Sequence, residues 1–224
     1  MKKFMLILVL VGLVAGIAGF GDAMLLLKGE TINLNEASIT DFEESKMIEG
    51  ELYYPVGLLV TYEETRTTYG IPTGKTTTYY YLMGNIDYKT YDSYIMDDED
   101  FDDYYVIFST SDEDLVKKID ALGDKWNDYY DGEDYTAYPT EGISFAGKTA
   151  PQPTDSDYIK YRDECYDEWG FKQTEVANYR IVDGKLGVAN YALFFGGIAV
   201  FVIGLIGLIA SLVSSKKKKR EELY

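Results

Sequence analysis

The sequence predicts an α+β fold: an antiparallel-sheet domain with two or more helices, flanked by two transmembrane helices. Three observations predict it. Residues 186–215 run for thirty positions without a charge and are closed by five basic residues, 216–220. Residues 48–62 place Leu52, Tyr54, Val56, Leu58, Val60 and Tyr62 at period two, the spacing of a half-buried strand. Two acid-rich caps then each precede apolar positions at helical spacing, after the first strands rather than alternating with them.

The chain opens with Lys2 and Lys3 before an apolar run, 4–21, in which residues 4–20 hold no charge. As a signal peptide, this segment has a positive start and a poor small-x-small site at Gly21-Asp22-Ala23. As an uncleaved anchor, it exceeds the usual apolar core of about 7–15 residues, and its apolar character resumes at Met24. The second reading is preferred. Both readings leave Lys2 and Lys3 on the cytoplasmic side.

The central segment, 28–185, begins with a short strand around 30–34 and a polar loop at 41–45. The strand at 48–62 contains Pro55, which cannot donate to a ladder, so it is expected at an edge or bulged there. A turn at 70–74 and a Thr- and Tyr-rich return over 76–83 complete a long antiparallel hairpin. Residues 104–109 read as a buried strand. Ser111 is the expected cap of a helix whose apolar face is Leu115, Ile119, Leu122 and Trp126, ended at Asp131-Gly132. A strand at 143–145 and a breaker at 150–153 follow. A second helix, capped around 154–157, shows Tyr158, Tyr161, Cys165 and Trp169 on one face and stops at Gly170. A last strand is read at 176–182.

The uncharged run at 189–213 exceeds the roughly 20 residues that cross a hydrocarbon core about 30 Å thick. A helix is the solution for a single segment, because lipid offers no partners for backbone polar groups. The basic tail, 214–224, then lies in the cytoplasm. Gly12 and Gly16 form G-x-x-x-G, and Gly197, Gly204 and Ser211 recur every seven residues, so close helix packing or a homo-oligomer through these glycines is open.

Charge and composition exclude much chemistry. Of 38 acidic and 21 basic residues, 36 and 14 fall in 22–185, giving that segment a net charge near −22. Phosphate backbones are repelled by such a surface, which argues against nucleic acid. The chain has no histidine and one cysteine, Cys165. Histidine-dependent catalysis, ordinary zinc sites and intrachain disulfides are thereby removed. Cys165 reads as a buried, inert thiol.

The acids at 97–103 are the densest cluster, but no window supplies an EF-hand pattern, so a solvated loop is expected rather than a calcium site. Paired carboxylates could cleave glycosides, yet among 36 acids some pair will meet that spacing by chance. Twenty of the 22 tyrosines lie in the central segment; they suit strands and also recognition surfaces. Arg66, Arg162 and Arg180 are scattered and form no anion clamp in sequence. No catalytic, cofactor-binding or metal-ligating residue is nominated.

The segments Ile48-Glu49-Gly50-Glu51-Leu52-Tyr53-Tyr54, Tyr62 to Ile71 and Lys75 to Leu82, with the late apolar helix, carry a resemblance. The chain resembles a family of uncharacterised two-pass membrane proteins of Gram-positive type bacteria, and that resemblance implies no activity. A looser similarity is to two-pass proteins with a β-rich domain between membrane helices, such as a mitochondrial membrane ubiquitin ligase; RING cysteines are absent, so ligase activity does not carry over.

The expectation is a membrane-anchored, extracytoplasmic binding, sensing or scaffold domain, not an enzyme, with both termini cytoplasmic. Its expected partners are the lipid bilayer and a membrane protein or second copy. The alternatives are a membrane-bound hydrolase using paired carboxylates and a calcium-binding surface protein.

Overall fold

The computed structural model describes residues 2–68, 71–97, 103–132, 137–184 and 188–221, the backbone alone being described at 66–68, 71–73, 188–190 and 215–221. The chain divides into two compact units, Met1–Gly29 with Leu186–Tyr224, and Glu30–Lys185.

The first unit is a pair of helices, α1 (Lys2–Lys28) and α5 (Val188–Glu221). Both are long and apolar enough to cross a membrane, over Lys2–Lys28 and Tyr191–Ser214. At 1.5 Å per residue, the 27 residues of α1 reach about 40 Å. The helix passes through Gly21-Asp22-Ala23 without a break. The two helices run antiparallel, because contacts pair ascending positions of α1 with descending positions of α5. A Cβ at Gly19 would stand 2.8 Å from the Phe194 nitrogen, one at Gly12 2.7 Å from the Gly197 oxygen, and one at Gly204 2.8 Å from the Val9 nitrogen. Such approach is possible only without side chains. These glycines therefore seat α1 and α5 against each other, and the C-terminal end of α5 lies at the same end of the pair as the start of α1, Gly207 standing against Met5.

The second unit is a seven-stranded sheet with helices: β1 (Thr31–Asn33), β2 (Met47–Leu52), β3 (Tyr54–Thr68), β4 (Ile71–Gly84), α2 (Tyr88–Asp97), β5 (Tyr105–Thr110), α3 (Glu113–Asp131), β6 (Ile143–Pro151), α4 (Ser156–Trp169) and β7 (Tyr179–Asp183). Its order is β1-β2-β6-β7-β5-β4-β3. The α+β class is as expected, but the sheet is mixed rather than antiparallel. β1 pairs with β2, and β5 with β7, in parallel. Both pairs are joined by long connections, which alone permit parallel neighbours.

The strand read as continuous over 48–62 is two strands that serve opposite flanks of the sheet. β2 pairs with β6 and β3 with β4, and only Tyr53 lies between them. Five strand spacings would separate the flanks of a flat sheet by about 24 Å, whereas two residues span at most about 7 Å. The sheet therefore curls back on itself at Tyr53. Alternation does assign the two faces. Tyr81, Met83, Val106 and Phe108 join a core with Val116 and Ile119 of α3. Tyr80, Leu82 and Ile107 join another with Tyr158 and Tyr166 of α4.

Other expectations are corrected locally. A register shift does fall between Pro55 and Gly57, as the proline requires. Residues 71–74, read as turn, are paired strand, leaving Tyr69 and Gly70 outside the described residues. The cap of α3 is Asp112, whose carboxylate accepts from the nitrogens of Asp114 (2.9 Å) and Leu115 (3.4 Å); the Ser111 hydroxyl instead meets Thr78 at 3.1 Å. Asp155 likewise caps α4. A carboxylate is the better partner for the positive end of a helix. Residues 150 and 151 extend β6, Pro151 being tolerated as its last residue. The final strand starts at Tyr179, with Val176 making a single bridge to Tyr105. On α4, Tyr166 rather than Tyr161 faces the core, Tyr161 being exposed.

Candidate functional site

Sequence reasoning left residues 85–97 unassigned, and the site depends on them. Asp87 accepts from the Thr90 nitrogen at 2.7 Å and starts α2. Tyr88, Tyr91 and Ile95, spaced three and four apart, then pack on a third core cluster. That spacing and the Asp87 cap were the available signals.

Trp126 is the centre of this cluster. It is 2 % exposed, and the rings of Tyr53, Tyr54 and Tyr91 stand edge-on to it at 5.2, 5.0 and 4.9 Å between centroids. Tyr130 stacks on it at 5.8 Å. The indole nitrogen donates to the Tyr53 carbonyl at 2.7 Å, and the Tyr53 hydroxyl donates to the Pro139 carbonyl. The residue at which the sheet changes flank is therefore held by both of its polar ends.

Above this base lies a pocket of about 120 Å³. Tyr54 from β3, Tyr91 from α2, Tyr105 from β5 and Tyr130 from the end of α3 line it, with Asp103 and Tyr104 alongside. The segment Gly84-Asn85-Ile86 completes the lining. Asn85 is latched in place: its nitrogen donates to the Tyr104 carbonyl and its Oδ1 accepts from the Tyr104 nitrogen, both at 3.1 Å. Its carbonyl accepts from Asn35 Nδ2 at 2.9 Å. Gly84 is required because a Cβ there would stand 3.0 Å from the Tyr54 ring. The Tyr130 hydroxyl donates to that of Tyr54 at 3.2 Å, while the Tyr104 hydroxyl points away, to the carbonyls of Leu34 and Ala37.

Burial raises the phenols of Tyr91 and Tyr104 and pushes Tyr105 up to about 12. These phenols stay neutral at physiological pH, so they offer aromatic surface and hydrogen bonds rather than a base or nucleophile. Among the described residues the formal charge on the lining is the carboxylate of Asp103.

A second, polar groove of about 340 Å³ lies against β1, with Glu36, Asp41, Glu43 and Lys46 on it. Its charges serve local structure: Asn33 donates to Glu36 at 3.0 Å, the Ser38 nitrogen to Asp41 at 2.8 Å, and Lys46 pairs with Glu30 and Glu43.

Of the acidic run 97–103, Asp97 ends α2 and Asp103 reaches the pocket, while Asp98, Glu99, Asp100 and Asp102 lie outside the described residues. Among the described residues no group of three or more carboxylate or thiol side chains is arranged to hold a metal. Cys165 is half-buried, donates to the Leu59 carbonyl at 3.7 Å, and has its thiol pushed up by burial. Arg162 and Arg180, scattered in the sequence, both lie near Tyr158. Arg162 sits over the Tyr166 ring at 5.7 Å and Arg180 over the Tyr80 ring at 5.3 Å. The side chain of Arg66 is outside the described residues.

A family model, domain of unknown function DUF8577, matches residues 1–214, which takes in α1, the whole second unit and the apolar part of α5. No curated protein matches the chain. With nearly its full length matched, the chain belongs to the DUF8577 family.

Proposed function

We propose that the protein is a membrane-tethered recognition module of a Gram-positive type bacterium, without enzymatic activity. Both helices cross the cytoplasmic membrane, both termini are cytoplasmic, and Glu30–Lys185 binds a small ligand outside the cell. The observation that carries binding is the tyrosine pocket, built from four separate elements on a rigid aromatic base. Neutral phenols support recognition over catalysis. The antiparallel pairing of α1 and α5 supports the topology, because it brings Lys2, Lys3 and the basic residues 216–220 to one side, where cationic flanks are favoured in the cytoplasm.

The test labels single cysteines, introduced one at a time in a Cys165→Ser background, with an impermeant maleimide on intact cells. Ser38→Cys should label at once, and Ser215→Cys only after permeabilisation. The reverse pattern refutes the topology. Retention of a small molecule by the purified full chain in nonionic detergent, abolished by Asp103→Trp, which adds a bulky ring at an exposed position on the pocket lining, tests the site.

A further inference from the structure

We infer that the pocket selects a small organic cation, an alkylammonium group such as that of choline. This rests on the recognition reading above and names its ligand class. Among the described residues the lining presents Tyr54, Tyr91, Tyr105 and Tyr130 with a single formal charge, the exposed carboxylate of Asp103, and no Lys or Arg. Aromatic rings attract cations through the negative potential of their faces, most strongly where water is partly excluded. A segment of net charge near −22 adds a favourable potential for any cation and an unfavourable one for any anion. The same fold already uses tyrosine rings in this way: Lys160, Arg162 and Arg180 each lie 5.3–5.7 Å from a tyrosine centroid. Size limits the ligand further. A cavity of about 120 Å³ accepts a trimethylammonium group and is well below the roughly 300 Å³ of an ordinary small-molecule site. Asp103 and Tyr105 line the same pocket, so carboxylate and ring address the same space.

The experiment is ligand-observed NMR on the full chain in nonionic detergent, with choline against its neutral isostere 3,3-dimethylbutan-1-ol. Choline should bind saturably, with Kd on the order of a millimolar for so small a ligand. The isostere should bind about tenfold more weakly or worse, since cation–π and carboxylate attraction are both lost. Asp103→Asn, at an exposed position, should weaken choline about three- to tenfold while leaving the melting curve in place; Tyr130→Ala, which also gives up the stacking on Trp126, should weaken it by a similar factor at a temperature well below its own melting transition. Phosphocholine carries the same cation with an added phosphate and should bind more weakly than choline; tighter binding would assign the pocket to a lipid headgroup and overturn the free-cation reading. Equal binding of choline and the isostere would overturn charge selection and leave a pocket that reads shape. Absence of saturable binding by either, with another compound class retained in an Asp103→Trp-sensitive manner, rejects the cation and keeps the recognition module. If no compound is retained, both readings fall.

Discussion

Replacing Tyr53 by Phe isolates one buried hydrogen bond at the point where the sheet turns back on itself. The ring is fully buried and keeps its edge contacts with Trp126 and Tyr88 and its tilted contact with Tyr91 in the variant. What disappears is the hydroxyl that donates to the buried Pro139 carbonyl. A buried acceptor left without a donor costs about 1–3 kcal/mol. With a urea slope of about 2 kcal/mol per molar, the midpoint should fall by about 0.5–1.5 M. The assay is urea unfolding of the full chain in nonionic detergent, in a Trp169→Phe background so that the fluorescence is that of Trp126, whose ring packs on Tyr53. Tyr130→Phe is the matched control, because its hydroxyl bonds that of Tyr54 and the residue is 57 % exposed. That control should cost less than about 0.5 kcal/mol, the usual bound for surface changes. A Tyr53→Phe variant as stable as the parent, or a Tyr130→Phe variant equally destabilised, would refute the view that Tyr53 pins the closure through its polar end.

Further predictions test other joints. Asp112→Ala should cost about 1 kcal/mol as a lost helix cap, and Ser111→Ala distinctly less, in the same unfolding assay. Gly12→Leu would drive a side chain into the backbone of α5 at Phe201, so disulfide crosslinking between cysteines placed at Phe20 and Phe194, 5.7 Å apart as rings, should be lost; Gly21→Leu, with open space around it, should retain it. Cys165, its thiol raised by burial, should react with maleimide at least about tenfold more slowly in the folded protein than in urea. The phenols of Tyr105 and Tyr166, raised by burial, and of Tyr138, raised first by its bond to Asp92, sit at about 12 against an ordinary value of 10. A phenol raised in the folded state stabilises it fully below pH 10, and that contribution is lost as pH rises through the folded value. Stability should therefore be flat below pH 10 and fall between 10 and 12, with delayed absorbance at 295 nm. Flat stability to pH 12 would contradict the burial of these groups.

The elements that the sequence determined are those whose signal is local. Thirty uncharged residues before a basic block can only be a long apolar helix, and the spacing of Ile119, Leu122 and Trp126 assigns the buried face of α3 without any partner being known. Period-two alternation likewise gave the hairpin and, at Pro55, its irregularity. Pairing is not local, and there the sequence is silent. Nothing in the run from Ile48 to Tyr62 says that its halves pair with β6 and β4 on opposite flanks, because alternation is the same whichever neighbour a strand has. The pocket was hidden for the same reason. Tyr54, Tyr91, Tyr105 and Tyr130 are separated by 14 to 37 positions and each looks like an ordinary strand or helix tyrosine. Only the closure of the sheet at Tyr53, and the packing of α2 and α3 against it around Trp126, bring their rings together beside one carboxylate.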